Sequence, residues 1–470
     1  MTRHPVEDAS TTSGLPVSPG LGPTLDLAQV GRRGKTLTPR ALVVVALCVA
    51  VALVTAPIAR VLVLLIGLIT NLAFFGRVAT GMVSPAGSPL GPWIVAVPVA
   101  GAVVVGLMAR YGSQAIRGHG IPEAMEQILT NESRIPMRMT FLKPLSAAIA
   151  IGTGGPFGAE GPIIATGGAL GSLLGQLVHV TADERKTILA AGAAAGMTAI
   201  FGTPFSAILL AIELLLFEFR PRSFIPVAAA ALTAIALRPL LFGATPLFAM
   251  GALAPASPAA LGAYGLEGLA MGGLAIVMSR SIYGIEDAFD RLPLHWMWWP
   301  ALGGLVVGLV GLVAPHTMGV GYENIGRILG GQFTGTAVLT FCALKFLSWS
   351  IALGSGTSGG TLAPIFTIGG GLGVVVGQGL QALLPAAGVD LRLAALIGMA
   401  ATFAGASRAL FASVAFALEI TGQFNGLLPL LAGCTSAYLL SALTMTNTIM
   451  TEKLVRRGTA VPTEYGPAPH

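Results

Sequence analysis

Charged side chains are scarce in this chain. Asp, Glu, Lys and Arg together make up 10% of its 470 residues, against 54% hydrophobic residues, and the mean hydropathy is +0.81. Soluble domains carry roughly a quarter charged residues, so this composition excludes an ordinary soluble globule and leaves a polytopic helical membrane protein. Cysteine is scarcer still. Cys48, Cys342 and Cys434 lie apart in apolar surroundings with no CxxC pair, which argues against a disulfide framework or a thiolate metal site. His179, His295 and His316 show no HExxH or paired-Asp spacing, and no P-loop lysine follows Gly167-Gly168 or Gly369-Gly370-Gly371. An intramembrane enzyme would need a convergent acid–base or metal set, so that reading is remote, and no metal or cofactor is expected.

The net charge of +6 gathers near the ends. Arg32, Arg33, Lys35 and Arg40 precede the first apolar run, and Lys453, Arg456 and Arg457 follow the last. Each cluster flanks a membrane segment, so nucleic acid is not an expected partner; the positive-inside bias puts both termini in the cytoplasm, with the chain multi-pass in the inner (plasma) membrane. Residues 1–38 are polar, rich in Ser, Thr, Pro and Gly, and lack a signal-peptide core. They read as a disordered cytoplasmic tail. The membrane domain is expected over 39–451, with a short cytoplasmic tail over 452–470 and no soluble domain.

Glycine and proline are plentiful, at 63 and 31 residues. They predict close helix packing and many interrupted helices. Apolar runs predict helices over 41–73, 91–109, 224–242, 261–283, 297–314, 336–354, 361–384, 392–404, 408–420 and 427–448, with a Gly/Ala-rich block over 142–217 and a loop near 284–296. Several are only ~10–14 residues long, too short to cross ~30 Å of hydrocarbon, and such helices are tolerated where their ends face protein or a water-filled cavity. Trp296, Trp298 and Trp299 read as an interfacial belt. Arg185, Lys186, Arg220 and Arg222 read as markers of water-facing loops.

The chain repeats itself. Pro162, Gly167, Gly168, Gly171, Gly175 and Gln176 recur 202 residues later as Pro364, Gly369, Gly370, Gly373, Gly377 and Gln378. At the same offset Gly196, Met197, Ala199 and Phe201 match Gly398, Met399, Ala401 and Phe403, and Ala211-Ile212-Glu213 matches Ala417-Leu418-Glu419 slightly out of step. Repeat one is placed at about 41–242 and repeat two at about 261–450. Such repeats in membrane transporters often run in opposite directions and meet at broken-helix ends. The fold class that follows is all-α, a polytopic membrane protein with two repeats of broken helices; the duplication is read directly and the inverted topology is inferred from that tendency.

Three Gly/Pro segments stand at predicted helix starts: Gly118-His119-Gly120-Ile121-Pro122, Gly158-Ala159-Glu160-Gly161-Pro162 and Gly360-Thr361-Leu362-Ala363-Pro364. A helix N-terminus exposes unpaired N–H groups and about half a positive charge. Several such ends converging would hold a halide-sized anion without a buried cation that binds too tightly for release. A lone ionised carboxylate at membrane depth costs at least ~2.5–3.5 kcal/mol, so Glu160 is the leading functional candidate, an acid competing with an anion for the same amides. Taken singly, each segment could be only a tight bend.

On these residues the chain resembles the CLC family of chloride channels and chloride/proton antiporters, from about Ala41 to Gly458. GxGIPE at Gly118–Glu123, GxEGP at Gly158–Pro162, GxxAP at Gly360–Pro364 and the closing Lys453-Leu454-Val455-Arg456-Arg457-Gly458 carry the likeness. The resemblance implies a homodimer with one anion path per subunit, and many tilted helices in two inverted-topology halves. It implies that Glu160 is the gating glutamate and that the amides around Gly120, Ile121, Gly161, Thr361 and Leu362 line the anion sites. His119 stands where many members have a serine that touches the central ion, and Met450 where a tyrosine supplies a second contact; the thioether is expected to loosen the inner gate. The position of the inner proton-handling glutamate falls on Leu214, which cannot carry a proton. Glu213 and Glu218 are candidate substitutes, although Glu213 reads first as a structural acid between helices. The partners expected are chloride or another small anion, protons and the lipid bilayer. Fluoride, nitrate or bicarbonate transport is the alternative.

Overall fold

The computed structural model describes residues 39–243, 245–333, 335–459 and 461. The expected tail over 1–38 and the end of the C-terminal tail lie outside these residues. In chain order the helices are α1 (Pro39–Phe75), α2 (Ala96–Tyr111), α3 (Ile121–Thr130), α4 (Met139–Gly152), α5 (Glu160–Leu177), α6 (Ala182–Phe201), α7 (Pro204–Leu210), α8 (Pro221–Phe242), α9 (Pro258–Asp290), α10 (Trp299–Val313), α11 (Tyr322–Leu329), α12 (Gly335–Gly354), α13 (Leu362–Leu383), α14 (Leu391–Ser407), α15 (Leu410–Thr421), α16 (Leu427–Thr444) and α17 (Glu452–Arg456). Among the described residues, eight helices are long and apolar enough to cross a membrane. α4, α14 and α15 are shorter apolar pieces, as is α7 with the π-helical turn Ala211–Leu216 that extends it. The protein is an all-α, multi-pass membrane protein.

Small residues let these helices touch backbone to backbone. A Cβ on Gly167 of α5 would lie 2.1 Å from the Gly192 carbonyl oxygen of α6, and a Cβ on Gly192 would lie 2.1 Å from that of Gly167. The pair recurs in the second half between Gly369 of α13 and Gly398 of α14, at 2.6 and 2.4 Å. Any larger side chain would push these helices apart, and in a bilayer such packing, not a hydrophobic drive, holds helices together.

This packing corrects the repeat register read from sequence. Gly171 abuts Ile188 where Gly373 abuts Ala394, and Gly175 abuts Arg185 where Gly377 abuts Leu391. In α6 and α14 the equivalent residues are therefore 206 apart, not 202. Gly202 and Arg408, also 206 apart, both close their helices in the left-handed conformation, at φ +72° and +59°. The match of Gly196–Phe201 with Gly398–Phe403 was displaced by four residues, about one turn, so it kept the same helix faces and looked right.

The halves are related by a two-fold. Gly158 and Gly360, 202 apart, exchange amide and carbonyl in both directions, at 3.2 and 3.0 Å. Glu419, near the end of α15, accepts from Phe205 N and Ser206 N at 2.9 and 2.7 Å, in the first turn of α7. Glu213, just past α7, accepts from Phe411 N and Ala412 N at 3.0 and 2.9 Å, in the first turn of α15. Each acid caps the other helix's start, which requires the two helices to run antiparallel. That is the inverted repeat.

Other expectations change. α9 runs to Asp290 through the predicted loop near 284–296, where Asp287 is paired with Arg456 of α17. Between the predicted helix over 91–109 and the Gly/Ala-rich block over 142–217 the chain adds the helix α3. Arg185 is not on a water-facing loop; it is 8% exposed in the first turn of α6 and donates to the Gly175 and Glu132 carbonyls at 3.2 and 3.0 Å. Of the three tryptophans only Trp298 is exposed. Trp299 is buried with its Nε1 on the Leu294 carbonyl at 2.8 Å, and the Arg117 guanidinium lies over the Trp296 and Trp299 rings.

Candidate functional site

The three Gly/Pro segments do begin helices: α3 at Ile121, α5 at Glu160 and α13 at Leu362. Pro122, Pro162 and Pro364 sit in the first turns, where the amide they lack had no partner to lose. The segments meet. Gly118 N donates to Thr357 O at 3.0 Å, and the Gly158–Gly360 pair joins the second segment to the third. A Cβ on Gly161 would fall 1.9 Å from the His119 carbonyl and 3.0 Å from the Gly360 Cα. A Cβ on Gly120, whose φ is +98°, would fall 2.4 Å from the Gly161 carbonyl. Only glycine fits at these two positions, so the three helix starts close on a single point.

Glu160 lies at that point, fully buried and not facing outward. Tyr322 of α11 donates its hydroxyl to Glu160 Oε1 at 2.8 Å. Oε2 has no hydrogen-bond partner and packs against Gly158, with the Gly360 backbone and the Ala363 amide beside the carboxylate. His119 is buried with Nδ1 unpartnered, and Thr361 is buried with Oγ1 unpartnered. Buried polar atoms are nearly always satisfied, so three open ones on the converging segments leave unused hydrogen-bonding capacity at this point. Leu362 and Met450 are fully buried, with Met450 N on Thr448 Oγ1 at 3.2 Å.

The remaining sequence candidates are placed differently. The Gly120 amide is engaged by Glu123 Oε2 at 2.7 Å, so Ile121 offers the freer backbone in that loop. Glu213 has both oxygens on the α15 amides, the first of the two readings given to it. Glu218 accepts from Ser223 and pairs with Arg220 at 3.7 Å, and Leu214 is buried.

The sequence reading passed over a scaffold of buried ions. Lys143 of α4 and Lys345 of α12, 202 apart, are both essentially buried. Lys143 Nζ donates to the Ile116 and Gly118 carbonyls, each at 2.8 Å; Lys345 Nζ donates to those of Thr317 and Gly319 at 2.7 and 3.3 Å. Glu123 forms a 2.7 Å ion pair with Lys453, which ties α17 to α3. The signal for the lysines was available: a charge inside an apolar run, repeated at the offset already found.

The family profile described as Voltage gated chloride channel matches residues 100–442, nearly three quarters of the chain. The chain belongs to the voltage-gated chloride channel, or CLC, family. Among its relatives, a ClcB-like chloride channel protein of Ralstonia nicotianae is 28% identical over 371 residues, covering 78% of this chain and 86% of that protein. An H(+)/Cl(-) exchange transporter ClcA of Yersinia pestis bv. Antiqua is 29% identical over 351 residues, covering 71% of each. The crystal structure of a slow cyanobacterial Cl-/H+ antiporter superposes with a TM-score of 0.79 at 22% identity, covering 90% of this chain and 99% of that one. The CLC family consists of anion transporters and channels, so this CLC protein is an anion-transport protein and not an enzyme.

Proposed function

We propose that this CLC protein moves chloride across the bilayer through a path lined by backbone amides and gated by Glu160. One observation carries the reading: three helix starts, held together by glycines that admit no side chain, converge on a buried carboxylate. Helix N-termini supply partial positive charge that favours an anion without holding it as an arginine would. The ionised Glu160 occupies those amides as the anion would, and protonation removes its charge and its claim on them. His119, Ile121, Gly161, Thr361, Leu362 and Met450 are the proposed anion contacts.

Leu214 at the inner proton position and the commitment of Glu213 to capping α15 favour weak or absent proton coupling over tight exchange. We place both termini in the cytoplasm and the protein in the inner membrane as a homodimer. Phe205 and Phe411, 58% and 55% exposed, flank the two acid caps. Carboxylates and amides near such an apolar face are better covered by a second copy than by lipid.

The test is chloride flux from liposomes containing purified protein, measured against pH. Glu160→Gln keeps flux on and removes most of its pH dependence. A Glu160→Gln protein that keeps the native pH profile refutes the gate. The reversal potential under combined chloride and proton gradients then reads the coupling, and a value that follows chloride alone identifies an uncoupled path.

A further inference from the structure

The inverted repeat builds the same loop twice and equips it differently. In the first half Lys143 holds the carbonyls of Ile116 and Gly118, and the loop turns through Gly118 and Gly120 at φ +102° and +98°. In the second half Lys345 holds the carbonyls of Thr317 and Gly319, and the loop turns through Gly319 and Gly321 at φ +68° and +75°. The two loops correspond at an offset of 201. His119 therefore answers to Val320, and Ile121, which opens α3, answers to Tyr322, which opens α11.

The first loop brings backbone and a histidine to the anion site. The second brings a phenol to the acid. Tyr322 Oη donates to Glu160 Oε1 at 2.8 Å, and its ring is wedged edge-on against Phe201 and Phe248, with centroids 6.0 and 5.9 Å away. Tyr322 also lines a cavity of about 310 Å³ together with Ala159, Ile200, Met318 and Asn324. The phenol thus stands between that cavity and the carboxylate. Two-fold symmetry alone did not require it, since the partner position is an isoleucine.

We propose that Tyr322 is a positioning residue for the gate: its hydroxyl latches the ionised Glu160 in the anion path and so sets the pH at which the path opens. This rests on the reading of Glu160 as the gate. A hydroxyl donating to a carboxylate makes a charge-assisted bond, stronger than one to a neutral acid. The ionised, seated carboxylate is therefore favoured over the protonated or displaced one. The charged group facing Glu160 from α12 is Lys345, whose Nζ is held by its two carbonyls. The opening of α13 supplies Thr361, Leu362 and Ala363, none of them titratable, and the loop before α3 turns its His119 carbonyl toward Gly161. Glu323 is exposed at the cavity, on the far side of Tyr322 in the chain.

The experiment is flux against pH in proteoliposomes for the native chain, Tyr322→Phe, Glu160→Gln and the double variant. Tyr322→Phe keeps the ring contacts and loses only the latch. It raises flux at neutral pH about tenfold, equivalent to about 1.4 kcal/mol, and moves the pH profile toward higher pH. In the Glu160→Gln background the same substitution changes the profile little. A fluorinated tyrosine at 322, a stronger O–H donor of nearly the same shape, moves the profile the other way. It decides the matter alone if Tyr322→Phe does not fold. A native profile in Tyr322→Phe beside a pH-insensitive Glu160→Gln overturns the latch and leaves the gate standing. Shifts in one direction for both Tyr322 variants overturn the latch as well. A pH dependence that survives in Glu160→Gln removes the gate, and the latch with it.

Discussion

Removing the carboxylate of Glu213 separates a structural acid from a proton carrier. In Glu213→Ala the Phe411 and Ala412 amides lose acceptors now 3.0 and 2.9 Å away. Hydrogen bonds to a charged group are worth about 1.5–3 kcal/mol each. Two such bonds are lost, so the cost is about 3–6 kcal/mol. Glu213→Gln keeps one oxygen and loses about half as much. Glu419→Ala, with bonds of 2.9 and 2.7 Å to the α7 amides, is at least as damaging. The two sites serve different amides, so the double variant is close to additive. The assay is thermal unfolding of the purified protein in detergent, run beside proton and chloride flux on the same preparations. The expected pattern is a matched loss of thermal stability for Glu213→Ala and Glu419→Ala with no change in the ratio of protons to chloride moved. A Glu213→Ala protein of native stability whose proton movement has vanished would refute the capping argument and make Glu213 the relay.

Gly161→Ala places a methyl 1.9 Å from the His119 carbonyl and 3.0 Å from the Gly360 Cα, so flux is lost even where the chain still assembles, whereas alanine at half-buried Gly273, with open space around it, leaves flux unchanged. The check is liposome flux normalised to monodisperse protein. Asp390 caps α14 through Arg392 N at 2.8 Å. Burial pushes its carboxyl up, but the Arg392 side chain and amide outweigh that and hold it below the ordinary Asp value. Its folded pKa being depressed, the stabilisation is present above the unfolded value and is lost as pH falls through the folded one. Asp390→Asn, which keeps a capping oxygen, is nearly neutral in acid and costs up to about 1 kcal/mol at neutral pH, read as the pH dependence of thermal unfolding.

Much of this protein was legible from residue pattern alone. Scarce charge and long apolar runs set the class, the glycine spacing revealed the duplication, and each Gly/Pro segment announced a helix start. Those properties are local, fixed by backbone conformation and by what a bilayer tolerates. The register within the duplication was misread because a one-turn slip preserves a helical face, and only the reciprocal contacts of Gly167 with Gly192 and of Gly369 with Gly398 exposed it. Tertiary structure alone decided the partners across the two-fold: Tyr322 on Glu160, Glu213 on α15, Glu419 on α7, and each buried lysine on its loop. Such contacts join residues between 25 and more than 200 positions apart. Their geometry arises from the antiparallel meeting of the halves, which no window of sequence contains.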